Sequence, residues 1–203
     1  IQTQPYGSRV VGYHLSSGGT NEWYYYSNFV WFFNEPLEYY LDYSKPQTEA
    51  YRRWLTKKYG TDAAIQAAWH NPKAALGTAE IASKRDKKKT DHFVFFDPAR
   101  SQHVVDSYDF EADLVVDTIE YFCTVVKDAT NRRAFTGAFY GYVVGAVDKV
   151  YLSTHRLLQC PDIDFLTSPS DYNFREPGSG YSTYRTLAES VRLNGKLWWD
   201  END

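Results

Sequence analysis

Glu201 closes a short apolar run, Leu197-Trp198-Trp199-Asp200-Glu201, so that a carboxylate stands at the end of a segment rich in strand-forming residues. Far upstream lie two Asn-Glu pairs, Asn21-Glu22 and Asn34-Glu35-Pro36, each a short way beyond or at the end of an apolar run. Two carboxyl groups converging from separate strand ends can hydrolyse a glycosidic bond. One, protonated, gives its proton to the leaving oxygen, while the other, ionised, acts at the anomeric carbon. Opposed environments separate their two protonation states, a drier pocket for the acid and hydrogen-bond donors around the anion. Either asparagine can bond a sugar 2-hydroxyl, an interaction that strengthens in the transition state. Taken instead as a surface feature, Glu201 would belong to an acidic cluster with Asp200 and Asp203.

The elements that must position these groups alternate along the chain. Arg9 to Leu15 reads as a buried strand, followed by the turn-prone Ser16-Ser17-Gly18-Gly19-Thr20. Ser44 caps a helix that has Pro46 in its first turn and Gly60 as its stop, and Thr61 caps a second helix ending near Trp69. Asn71 to Arg100 reads as a polar loop. From Val105 through Tyr108, Ala112, Val115, Ile119, Phe122 and Val126, apolar or small residues recur at intervals of three and four, the mark of a long amphipathic helix. Ala134 to Val144 reads as a second strand, Thr154 to Leu158 as a helix, Ile163 to Thr167 as a third strand, Leu187 to Val191 as helical, and the run to Glu201 as a fourth strand. Strands separated by helices imply parallel pairing with right-handed crossovers. The expected fold is α/β, a partial (β/α)8 barrel, with residues 1–203 one domain and a fragment of a longer catalytic domain, since a whole barrel takes about 250 residues.

Composition narrows the function classes. The net charge of −4, with basic and acidic residues intermixed, gives no footprint for nucleic acid. The basic cluster Lys84-Arg85-Asp86-Lys87-Lys88-Lys89 reads as a solvated loop. No apolar run approaches the roughly 18 residues needed to span a bilayer, and no membrane partner is expected. The compartment stays open between cytoplasmic, periplasmic and secreted. Aromatic residues make up 18% of the chain, and rings with a polar edge suit sugar faces as well as protein cores. Cys123 and Cys160 match no zinc spacing, and Cys123 falls on an apolar helical face as an inert thiol.

Several segments together resemble the β-galactosidases of glycoside hydrolase family 42 and their bacterial relatives. They are Val10-Val11-Gly12-Tyr13-His14-Leu15, Gly19-Thr20-Asn21-Glu22-Trp23, Tyr51 to Gly60, Ala67-Ala68-Trp69, Phe139-Tyr140-Gly141-Tyr142, Cys160 to Pro169 and Ser190 to Trp198. The resemblance implies barrel strands four to seven, a retaining mechanism and a carbohydrate substrate. It further implies Glu22 as acid/base, with Glu35 as rival, and Glu201 as nucleophile. The chain departs from the family by placing a glycine loop before Asn21-Glu22 and by lacking the cysteine cluster that holds metal in many members. No metal or cofactor is expected. By position, His14, Asn21, Trp23, Tyr140 or Tyr142, and Trp199 are candidates for the sugar subsite, with Tyr172 and Arg175 in a later loop. A sugar-binding barrel without hydrolysis, or a noncatalytic structural domain, are the competing readings. Two unpaired sheet edges would call for the remainder of the barrel or a second copy as partner.

Overall fold

The computed structural model describes residues 3–18, 21–23, 42–92, 95–143, 151–170, 176–178 and 184–201. In chain order its elements are β1 (Gly12–Leu15), α1 (Lys45–Tyr59), α2 (Asp62–Ala68), α3 (Lys84–Lys88), α4 (Pro98–Ala129), β2 (Phe135–Phe139), α5 (Thr154–Gln159), β3 (Phe165–Pro169), α6 (Ala188–Leu193) and β4 (Leu197–Glu201). The chain divides into two compact units, Ile1–Tyr24 with Ala112–Asp203, and Tyr25–Glu111. No helix among the described residues is long and apolar enough to cross a membrane.

The first unit is built on a four-stranded parallel sheet in the order β1-β2-β3-β4, which makes the fold mixed α/β. Partners in register share a face. One face carries Thr136, Ala138, Leu166 and Ser168, all fully buried. Helix α4 covers this side, with its Cys123 thiol near the Thr136 hydroxyl, and Cys123, Val115, Val116 and Ile119 are themselves fully buried. Burial pushes the Cys123 thiol up to about 12, which makes it the inert thiol expected from its position.

The other face carries His14, Gly137, Phe165, Thr167, Trp199 and Glu201. Phe165 stacks on Trp199 with ring centroids 3.8 Å apart and on His14 at 6.0 Å. The stack spans β1, β3 and β4, and β2 passes beneath it at Gly137. A Cβ there would stand 2.6 Å from the Phe165 ring and 2.1 Å from the Phe165 carbonyl oxygen.

At the N-terminal ends of the strands, charges tie α4 to the sheet. Lys127 Nζ donates to Asp164 Oδ2 at 2.5 Å and to the Ala134 carbonyl at 3.0 Å, while Asp164 also accepts the Thr136 N–H at 2.8 Å. Lys196 Nζ donates to the carbonyls of Cys160 and Ile163, at 2.7 and 2.6 Å, and desolvation lowers its pKa.

The second unit is helical, and its element starts obey local chemistry. The hydroxyls of Ser44, Thr61 and Ser83 accept the N–H groups of Gln47, Ala64 and Asp86, which begins α1, α2 and α3. Gly60, at φ 74°, ends α1. Tyr51, Leu55, Ile65 and Phe110 form the apolar interior. Asp106, wholly buried, accepts four bonds, from Lys58 Nζ (2.8 Å), Tyr59 OH (2.7 Å), Trp69 Nε1 (2.6 Å) and Gln102 Nε2 (2.8 Å). Four donors offset the desolvation that would otherwise make a buried carboxylate untenable.

Three sequence expectations are corrected. The stretch from Asn71 to Arg100 is not loop throughout, because Ser83 caps α3 there. The basic cluster within it is not wholly solvated: Lys87 is buried, ion-paired with Glu111, with its ammonium 4.8 Å from the Tyr108 ring. The strand expected over Ala134 to Val144 stops at Phe139. Beyond it Gly141 lies so close to β3 that an added Cβ would come within 2.6 Å of Ser168 Cβ.

Gly137→Ala should destabilise the chain by about 1–3 kcal/mol, the usual cost of overpacking. Urea unfolding of the two proteins measures it; an unchanged midpoint would mean that Phe165 does not depend on the missing side chain.

Candidate active site

Both glutamates emerge at the same rim of the sheet, because parallel strands present all their C-terminal ends on one side. Ligands of parallel α/β sheets gather at that rim. Glu201 is the last residue of β4 and exposed, on the face that carries Trp199 and Thr167. Glu22 follows β1 by a short loop whose described residues are tightly bonded. The Trp23 N–H donates to the Ser17 carbonyl at 2.9 Å and the Asn21 N–H to the Gly18 carbonyl at 3.3 Å. The Trp23 indole N–H reaches back to the Leu15 carbonyl at 3.0 Å.

Asn21 and Trp23 have φ of 67° and 62°, in the left-handed region. Asparagine tolerates that conformation, but a tryptophan there stores about 1–3 kcal/mol, which its two bonds and complete burial offset. Left-handed backbone on both sides of Glu22, strained at Trp23 alone, shapes the turn that carries the glutamate. Trp23 is 1% exposed, so this ring, expected as a sugar platform, instead anchors the loop.

A tyrosine cluster holds Glu22 from the β2 side. Tyr142 OH donates to Glu22 Oε1 at 3.3 Å, and Tyr151 OH donates to the Glu22 carbonyl. Tyr151 and Tyr142 pack on Phe139 at 6.1 and 5.3 Å. The Arg185 guanidinium lies 6.0 Å from the Tyr142 ring, and the Arg185 backbone bridges Val143 and Pro169 at 3.0 and 3.2 Å. Tyr140 is fully buried; its hydroxyl accepts the Ser153 N–H at 3.0 Å, and its ring meets Tyr151 edge-on at 4.8 Å. Of the two tyrosines weighed from the sequence, Tyr142 is the one at the glutamate.

His14 lies on the Glu201 face. Its Nε2 is 2.8 Å from Thr167 Oγ1, two strands away across Gly137. Although the residue is exposed, desolvation of the ring lowers the pKa of the imidazole. A depressed pKa leaves the ring neutral at pH 7 and able to accept or donate one hydrogen bond at each nitrogen. Trp199, 42% exposed over Phe165, is the open ring on this face and the remaining stacking platform. Trp198 points to the opposite face, where its indole N–H donates to Ser168 Oγ at 2.8 Å.

Glu35, Tyr172 and Arg175 lie outside the described residues. Thr167, Tyr151 and Arg185 were missed. Nothing in the sequence sets Thr167 apart from its polar neighbour Ser168 in β3, and Tyr151 and Arg185 reach the site through loops, for which spacing offers no signal. Among the described residues no group of three or more His, Cys, Asp or Glu side chains could hold a metal ion. A cavity of about 410 Å³ beside Ser8, Tyr13, Thr130 and Arg133 opens at the opposite, N-terminal end of the sheet.

No family model and no curated protein sequence matches the chain. Among solved structures it is similar to the β-galactosidase from the psychrophilic Marinomonas ef1, at 20% identity and a TM-score of 0.44, over 64% of this chain and 18% of that one. The chain thus spans less than a fifth of that protein's length.

The lowered pKa of His14 has a consequence for stability. Between the folded value and the unfolded value near 6.5, the unfolded state binds more protons, so stability should fall as pH drops through that window and be flat above it. Denaturation of wild type and His14→Gln at pH 7.5 and 5.5 measures this. The variant should lose less stability on acidification, and an equal loss would remove His14 as the source.

Proposed function

We propose that this chain supplies the fourth to seventh strands of a (β/α)8-barrel retaining glycoside hydrolase acting on β-galactosides, with Glu22 as acid/base and Glu201 as nucleophile. The observation that carries the reading is the emergence of two glutamates at one rim of a parallel sheet, from its first and last strands. Tyr142 and the strained Trp23 loop orient Glu22 as acid. Trp199 offers a sugar platform, and neutral His14 with Thr167 offers hydroxyl contacts.

Geometry sets a demand on this reading. A retaining pair works at about 5–5.5 Å. Three spacings of about 4.8 Å would hold β1 and β4 some 14 Å apart in a flat sheet. The pair therefore needs the sheet curled towards the face of Glu201, as closure into a barrel curls it. The contact of His14 with Thr167 over side-chain-free Gly137 supports concavity there. Sheet edges at β1 and β4 call for the remaining strands of a barrel, or a second copy, to cover them. The edge placement of both carboxylates favours, as second reading, a barrel relative that binds sugar without cleaving it.

Glu201→Gln and Glu22→Gln in the full-length protein should each lower turnover of an aryl β-galactoside by at least about 100-fold. The Glu22 variant should recover most when the leaving group is a dinitrophenolate, which departs without protonation. Undiminished turnover in either variant would remove that residue from the mechanism, and sugar binding with no turnover by the wild type would establish the second reading.

Tyr142→Phe removes one hydrogen bond to the acid and should lower kcat about 10-fold, the equivalent of about 1.4 kcal/mol, with KM little changed. Steady-state kinetics on the same substrate decide this; a rise confined to KM would make Tyr142 a substrate contact instead.

A further inference from the structure

The helical unit carries a groove that the proposed chemistry does not use. It has a volume of about 400 Å³ and is lined by Trp69, Asn71, Lys73, Thr78, Arg100 and His103, together with alanines and Glu80. Its wall is the irregular segment after α2, which is heavily bonded. Gln66 Nε2 donates to the Ala74 carbonyl at 3.0 Å, the Leu76 N–H to Asp62 at 2.8 Å, the Lys73 N–H to Asn71 Oδ1 at 3.0 Å, and Arg52 Nε to the Ala79 carbonyl at 2.8 Å. A concavity held open by this many bonds is pre-formed, as binding sites commonly are.

Trp69 is the groove's aromatic wall, and Asp106 fixes it. The indole N–H points inward to the buried carboxylate at 2.6 Å, and the ring meets the His103 imidazole edge-on at 6.1 Å. With its one polar atom engaged inside, the indole has only its apolar ring surface to offer the groove. Around it stand hydroxyl, amide and imidazole groups able to bond a polyol. The charge at the rim is positive in effect. Glu80 is taken by Arg52 at 2.5 Å, whereas Lys73 is exposed and Arg100 is only loosely drawn to Asp91 at 3.8 Å.

We propose that this groove is a second saccharide site, separate from the glutamate rim, that takes a pyranose unit bearing an anionic substituent. The sugar ring packs on Trp69, and its carboxylate or sulfate is met by Arg100 and Lys73. The choice of a saccharide rests on the carbohydrate reading of the chain; the choice of an anionic one rests on the groove's own charges.

The test is calorimetric titration of the full chain carrying Glu201→Gln, so that hydrolysis does not intrude. The probes are a trigalacturonate, a sulfated galactotriose and a neutral galactotriose. At least one acidic probe should bind 10-fold or more tightly than the neutral one, and which of the two does so tells carboxylate from sulfate. Arg100→Gln with Lys73→Gln, both at exposed positions, should abolish that preference, and Trp69→Ala should weaken binding at least 10-fold. The double variant keeps the proposal testable where Trp69→Ala, which takes a donor from Asp106, fails to fold. Equal affinity for acidic and neutral probes, no binding of any probe, or binding indifferent to Arg100 and Lys73 overturns the proposal. Acidic-sugar binding at this groove in a protein whose wild type turns over no glycoside would sink the hydrolase reading alone. Turnover without such binding would sink this one alone.

Discussion

Phe165 can lie flat between His14 and Trp199 because Gly137 gives up the space that a side chain would fill. Much of the sheet unit follows from that contact. It joins β1, β3 and β4 over Gly137 of β2, and it leaves the face with rings and a few polar atoms where the opposite face is covered by α4. Slipping β4 by one residue would turn Trp199 and Glu201 to the helix side. The same register that buries Phe165 therefore aims the carboxylate.

The polarity of the sheet does the rest of the positioning. Once the strands are parallel and in sequence order, residues from opposite ends of the chain stand on one rim without any local signal linking them. Glu22 is then refined by its own neighbourhood. The loop carrying it is held in an unfavourable backbone conformation by bonds that Trp23 makes to Leu15 and Ser17. The tyrosines that touch it come from beyond β2.

What the sequence disclosed depended on the range of the forces involved. The caps at Ser44 and Thr61, the stop at Gly60, the period of α4 and the order of alternation are local effects, and they were readable. So was the placement of a carboxylate at the end of β4. Trp23 was legible as a residue of interest but not as an anchor, since its bond to Leu15 depends on a backbone conformation that a tryptophan seldom adopts. The burial of Lys87 was hidden because its partner, Glu111, comes from a different helix. Tyr151 and Arg185 reach the glutamate rim only through the tertiary path of the chain. The family resemblance rested on scattered short segments, and what those segments share most firmly with the structure is the parallel alternation.

The connection from β1 to β2 runs from Ser16 to Ala134 and contains the whole helical unit. Closing so long a loop costs little more than closing one half its length, about 0.6 kcal/mol per doubling, so equilibrium stability barely registers it. Folding rate is another matter, because distant pairings are slow to form while helices and their neighbours find each other early. A helical unit that condenses first, around Asp106, shortens the span that β1 must search. On this view the buried carboxylate also sets the timing: it helps to decide when the first strand can join the others.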